Sequence, residues 1–166
     1  MNGNSQTLSS SSSSSSSSAI ADEAEIRALY QQLMDGWNAA SGYAFASPFE
    51  GNGDLVGFDG THINGRHEIA LFHQHLFDMF LKGSRLVGKV RSVRFVTSDV
   101  AVMHTVGGTV MAGQTDLDPE RNSVQTLVAV KRNGKWSLAA FQNTRATYIG
   151  RPEESQNLTE ELRTLL

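Results

Sequence analysis

Between residues 22 and 40, apolar side chains return every three or four positions. Ile26, Leu29, Tyr30, Leu33, Met34 and Trp37 mark one face of a helix. Asp22 and Glu23 stand where negative charge suits a helix N-terminus, and Gly42 offers the stop. A second helical pattern covers residues 66–82. Ile69, Leu71, Phe72, Leu76, Phe77 and Phe80 make it apolar on more than one side, which predicts cover from a sheet and from a further surface such as a second subunit. Between the two, Pro48, Gly51, Gly53, Gly57 and Gly60 break residues 45–65 into a small hairpin turning near Asp59-Gly60.

After Gly83 the period shortens to two. Residues 85–96 alternate, with Val87, Val93 and Phe95 assigned to one face and Leu86, Val90 and Val96 to the other. Residues 100–112 are rich in valine, and Gly107-Gly108 marks a bend or bulge. Residues 114–121 read as a polar surface loop. From 122 to 131, Ser123, Gln125, Leu127 and Ala129 alternate with Val124, Thr126, Val128 and Val130, and Asn133-Gly134 turns the chain into a last strand. That strand opens apolar at Trp136 and Leu138 and ends polar at Asn143 and Arg145. Trp136 and Asn143 are an odd number of residues apart, so both face inward only if the strand bulges near Ala139-Ala140. Leu158, Leu162 and Leu165 then predict a short C-terminal helix.

Helix, hairpin, helix and four long antiparallel strands describe an α+β domain with helices on one face of a bent sheet. The 166-residue chain suffices for one such domain, expected over residues 22–149, with a tail at 150–166 carrying the short helix. Residues 1–21 contain an unbroken serine run from Ser9 to Ser18 and predict a disordered tail. The net charge is −3 without a basic run, which argues against nucleic acid and anionic membranes as partners. No cysteine is present, so disulfides and thiolate sites are excluded. No apolar run approaches the roughly 18 residues of a membrane span, and no signal-peptide pattern opens the chain, so the expectation is a soluble, cytoplasmic protein. His73 and His75 are two apart and cannot share a helix face, so no metal pair is expected, and nothing implies a cofactor.

Several segments together resemble the SnoaL-like, nuclear transport factor 2-like superfamily, and within it the SgcJ/EcaC group. They are Gly65-Arg66-His67-Glu68-Ile69, His75-Leu76-Phe77-Asp78, Leu81-Lys82-Gly83-Ser84-Arg85-Leu86, Val93-Arg94-Phe95, Asp99-Val100-Ala101-Val102-Met103-His104, Gln125-Thr126-Leu127-Val128 and Phe141-Gln142-Asn143-Thr144-Arg145. The resemblance implies a cone-shaped curved antiparallel sheet wrapped on N-terminal helices, the cystatin-like α+β roll. It also implies a pocket between helices and sheet, and a homodimer. It implies no single reaction, because a fold hosts many functions. Ketosteroid isomerases of this fold use a carboxylate base, a tyrosine and a carboxylic acid, an arrangement that is a known example of pKa tuning. Here the base position falls on Gly57 and the tyrosine position on Leu33, and the strand 123–130 holds no acid, so that constellation is not expected.

The remaining candidates for acid–base chemistry are His62, His104 and Asp59, and those for ligand contact are Trp37, Tyr30, Gln125, Asn143 and Arg145. Two functions stay open. One is a site that carries or acts on a small polar or aromatic metabolite by general acid–base chemistry. The other is a non-catalytic association domain whose cavity is incidental.

Overall fold

Asp22 is where the first helix meets the sheet. In the computed structural model, which describes residues 11–166, α1 (Ser11–Asn38) lays Ile26, Leu29, Tyr30 and Leu33 on the sheet as a fully buried stripe. The Asp22 carboxylate accepts hydrogen bonds from Lys131 Nζ at 2.8 Å and Trp136 Nε1 at 2.9 Å. Those bonds, the lysine first and the indole second, hold its pKa below the usual carboxylate range. The helix begins ahead of the expected start at Asp22. Residues 14–21 continue it as exposed turns, since each serine added to a formed helix costs only about 0.5 kcal/mol relative to alanine. Of the serine-rich tail expected over 1–21, residues 1–10 lie outside the described residues.

A short helix, α2 (Gly42–Ala46), is absent from the sequence pattern because it is a single turn. Ser41 Oγ caps it by accepting from Ala44 N at 3.1 Å. Then come β1 (Phe49–Val56) and β2 (His62–Asn64), the expected hairpin, closed by Gly57 N to Thr61 O at 2.8 Å. α3 (Arg66–Met79) follows, and after it the long strands β3 (Arg85–Thr97), β4 (Val100–Val110), β5 (Asp118–Arg132) and β6 (Lys135–Arg145), then α4 (Pro152–Arg163). Part of the expected polar loop therefore belongs to β5. The six strands run in the order β2-β1-β6-β5-β4-β3. Only β1 against β6 is parallel.

Three bulges decide which side chains face the helices. The β3–β4 register slips at Arg91, so Val87 faces out while Val93 and Phe95 face the core, and their expected common face is corrected. A slip beside Gly107-Gly108 bends β4 against β5. The third lies at Ala139: Val128 pairs with Ala140 but Ala129 pairs with Leu138. Trp136 and Leu138 thus face inward before the slip, and Phe141 and Asn143 after it.

On the concave side α1, α2 and α3 cover the sheet. α4 covers part of the convex side, where Leu158 and Leu162 pack on Val87, Val106, Val110 and Leu117. Val87, Val106 and Val110 find this cover within the chain. Leu71, Met79 and Phe80, on and just after α3, remain exposed. No helix of the described residues is long and apolar enough to cross a membrane.

Candidate functional site

Beyond the Ala139 bulge the helices and the sheet diverge and leave an open cavity of about 230 Å³. Its walls are mainly rings and aliphatic chains: Trp37 from α1, Phe45 from α2, Phe72 and Leu76 from α3, and Phe141 from β6. Trp37 meets Phe45 and Phe77 edge to face, at centroid distances of 6.1 and 5.4 Å, so the aromatic wall is itself well packed.

The sheet floor supplies the polar groups. Tyr30 donates its hydroxyl hydrogen toward Gln125 Oε1 at 2.9 Å, with Val106 O at 3.2 Å. Burial pushes the phenol up to about 12, so it stays neutral. Gln125 Nε2 donates in turn to Ser123 Oγ at 3.0 Å, and Thr105 also donates to Gln125 Oε1. The phenol reaches the floor because Gly88 and Gly107 face each other across β3 and β4. A Cβ at Gly88 would stand 2.3 Å from the Tyr30 hydroxyl. This network is satisfied, so it positions the floor and has little left to offer a ligand.

Asn143 is different. Its Oδ1 is buried without a partner, and its side-chain amide makes no hydrogen bond among the described residues. At the mouth, Arg121 reaches Asp118 only at 3.6 Å, which leaves its guanidinium largely free to meet an anionic group.

Tyr30, Trp37, Gln125, Asn143 and Asp59 of the sequence candidates line this cavity. Asp59 is a turn residue. It accepts from Thr61 N at 3.0 Å and Thr61 Oγ1 at 2.9 Å, and these bonds, the backbone one first, keep its pKa below the ordinary carboxylate value. A carboxylate so engaged is a poor base.

His62, His104 and Arg145 stand elsewhere. His104 points out from the convex face because its neighbours Met103 and Thr105 point in. His62 is exposed beside Asp54, with Nε2 3.3 Å from Oδ1, while Ile63 takes the inward place on β2. Arg145 lies one pleat beyond Asn143, paired with Glu120. His62 and His104 therefore do not join Gln125 and Asn143 at the cavity.

His73 is the cavity histidine that the sequence reading passed over. It is 5% exposed, stacks on Phe45 at 4.0 Å, and donates from Nδ1 to Ile69 O at 2.8 Å. Burial lowers its pKa to about 4, against the raising effect of the Ile69 bond, so the ring is neutral near pH 7. The signal was present: Ile69, His73 and Phe77 stand four residues apart on one helix face, all buried. Among the described residues, no group of three or more His, Cys, Asp or Glu is arranged to hold a metal.

No family model and no curated protein matches the chain. Solved structures do. A domain of unknown function with a cystatin-like fold from Nostoc punctiforme is 38% identical, over 87% of this chain and 96% of that one, at a TM-score of 0.76. A nuclear transport factor 2-like protein with a cystatin-like fold from Novosphingobium aromaticivorans is 14% identical, covering 87% and 93% of the two chains, at 0.69. A hexachlorocyclohexane dehydrochlorinase of LinA type 3 from Novosphingobium barchaimii is 15% identical, covering 78% and 89%, at 0.66. The last two share the fold alone. With α-helices on the concave side of a curved, unclosed sheet and that identity to the Nostoc punctiforme protein, the chain belongs to the family of that cystatin-like domain of unknown function.

Proposed function

We propose that the chain is a small-molecule-binding domain that takes a ligand with a flat, mainly apolar body and a hydrogen-bonding group directed at Asn143. The carrying observation is the Asn143 amide, unpaired in a cavity whose other floor groups are bonded to one another. Leaving a buried acceptor unmet costs about 1–3 kcal/mol, which a ligand donor would recover. Binding or carrying fits better than proton abstraction. Asp59 is held by Thr61, and a histidine titrating near 4 has little affinity for a proton. Placement within the SgcJ/EcaC group and self-association through the uncovered strip of the convex face complete the proposal. Light scattering at micromolar concentration would give about twice the 18.0 kDa chain mass for a dimer.

The test is a panel of aromatic acids, alcohols and amides screened by thermal shift and titrated by calorimetry. A true ligand binds in the micromolar range or tighter, and Asn143→Ala weakens it by about tenfold or more while moving the melting temperature little. If Asn143→Ala instead collapsed the fold, or no panel member bound the intact protein, the reading would fail.

A further inference from the structure

The cavity holds a second free acceptor, on the wall opposite the sheet. His73 Nδ1 faces the carbonyl oxygen of Ile69, one turn back on α3. A carbonyl can only accept, so Nδ1 carries the hydrogen, and in a neutral ring Nε2 is then a bare lone pair. With Nδ1 turned toward the helix backbone, Nε2 lies on the far edge of the ring. It has no hydrogen-bond partner among the described residues, although the residue is 5% exposed and lines the cavity. The ring cannot turn freely to find one. Phe45 lies stacked over it at 4.0 Å, and Phe72 and Phe77 flank it at 5.6 and 6.3 Å.

The surroundings narrow what can meet this nitrogen. Phe45, Phe72 and Trp37 offer no donor at that point, since the Trp37 indole hydrogen is given to Ser84 Oγ at 3.1 Å. A carboxylate there would face a lone pair inside an aromatic wall, with Arg121 placed on β5 rather than beside the imidazole. A neutral hydroxyl on a flat ring has the complementary properties. Its hydrogen can be donated to Nε2, and its ring can occupy the slot between the Phe45–Trp37 wall and Phe141.

We propose that His73 Nε2 accepts a hydrogen bond from the hydroxyl of a neutral aromatic alcohol, which makes phenol-type compounds the ligand class of the cavity. This rests on the small-molecule reading above and makes it specific. A site built to bond a hydroxyl disfavours the analogue lacking one, because the imidazole nitrogen in the aromatic wall is then left unpaired. His73 acts here as a binding residue that receives a hydrogen bond and keeps no proton.

The experiment compares 2-naphthol with naphthalene, which have the same ring body and differ by the hydroxyl. Both are titrated into the full chain near pH 7, following tryptophan fluorescence, with His73→Phe as the variant. The intact protein should prefer 2-naphthol by about tenfold, and His73→Phe should bring the two to similar affinities by weakening 2-naphthol alone. Nitrogen-15 spectra of imidazole-labelled intact protein supply a readout that does not depend on how the variant folds. 2-Naphthol should move the His73 Nε2 resonance and naphthalene should leave it in place. Equal affinities in the intact protein, a preference that survives in His73→Phe, or an unmoved Nε2 resonance would each overturn the role of His73 while leaving an apolar binding cavity standing. Failure of both compounds to bind the intact protein would overturn this inference, and the small-molecule reading would fall with it only if no member of the wider panel bound either.

Discussion

Two asparagines, one on each face of the sheet, separate structural from functional polarity in this molecule. Asn122 and Asn143 both keep a buried Oδ1 without a partner. Asn122 is otherwise anchored: its Nδ2 donates to Thr159 Oγ1 at 2.8 Å, its carbonyl accepts from Ala146 N at 2.9 Å, and α4 lies over it. Around it the convex face is tied by ion pairs from Lys89 and Arg91 to Glu161 and from Arg163 to Asp116. Asn143 has no side-chain hydrogen bond to anchor it, and it lines the cavity. An unpaired acceptor alone is therefore a weak sign of a site. An unpaired amide on a cavity wall, with a second unpaired acceptor, His73 Nε2, on another wall of the same cavity, is a much stronger one.

The comparison predicts that the two faces can be damaged separately. The largest effect belongs to Leu162→Ala. Leu162 is fully buried between α4 and β4, and truncating it should cost roughly 4 kcal/mol in urea unfolding, with cavity volume setting the spread. Binding of 2-naphthol by the folded fraction should not change. A matching loss of affinity would show that the convex cover shapes the concave site.

Nearly as large is a pH effect from the concave face. His73 is neutral when folded, with a pKa of about 4, against 6.5 in the unfolded chain. Between those values the unfolded state binds the extra proton, so stability falls as pH drops through this window. A displacement of that size is worth about 3 kcal/mol in full. The other ionisable side chains lining the cavity are Tyr30, Asp59 and Arg121. Tyr30, near 12, stays neutral and Asp59, held below its ordinary value, stays ionised in this window. Asp22, Asp116 and Glu161 are also held low by their partners, so their stabilisation begins to be lost only near the unfolded values of 3.8 for the aspartates and 4.5 for Glu161, at the acid end of the window. Urea midpoints measured from pH 7 to 4 should slope for the natural chain, and His73→Phe should flatten that slope. An unchanged slope would place the titration on another group.

Much of the fold was legible because pattern and structure share a cause. The stripe from Ile26 to Trp37, the Asn133-Gly134 turn and the bulge demanded by Trp136 and Asn143 all follow from which side chains must leave water. What failed was facing. On β4, whose faces the valine-rich pattern left unassigned, Ala101, Met103 and Thr105 are the residues that point in. α4 gives Val106 its own cover on the outer side. His104, named as an acid–base candidate, stands on the outer face and away from the cavity. The bulge at Arg91 misled the reading of β3, since nothing in its alternation announces the slip. His73 was hidden by its surroundings, an apolar run in which a single histidine reads as core until a cavity beside it is known.

A smaller pair of effects sharpens the asparagine comparison directly. Asn122→Leu removes the Thr159 bond from beneath α4 and should destabilise by about 1–2 kcal/mol. Asn143→Leu removes a polar group that has no partner to lose, so stability should hold or rise by up to about 1 kcal/mol while 2-naphthol binding weakens. Thermal melts and titrations on both variants decide it. A destabilised Asn143→Leu that still bound would reverse the assignment of the two residues.

The smallest effect concerns Arg145, which the sequence offered as an anion-binding residue and the structure pairs with Glu120. Both partners are well exposed, at 41% and 81% for their side chains, so water screens the pair and the long side chains lose freedom in forming it. Arg145→Ala should therefore change stability by less than about 0.5 kcal/mol. It should also leave 2-naphthol affinity within error, because Asn143 is the last residue of β6 on the cavity wall. Arg121 provides the contrast, since its guanidinium stands at the mouth and Asp118 holds it only at 3.6 Å. A probe carrying a carboxylate on the naphthol ring should bind Arg121→Ala more weakly than the natural chain, and Arg145→Ala equally well. If Arg145→Ala weakened the carboxylate probe while Arg121→Ala did not, Arg145 would be the anion contact and its pairing with Glu120 would have to open on binding.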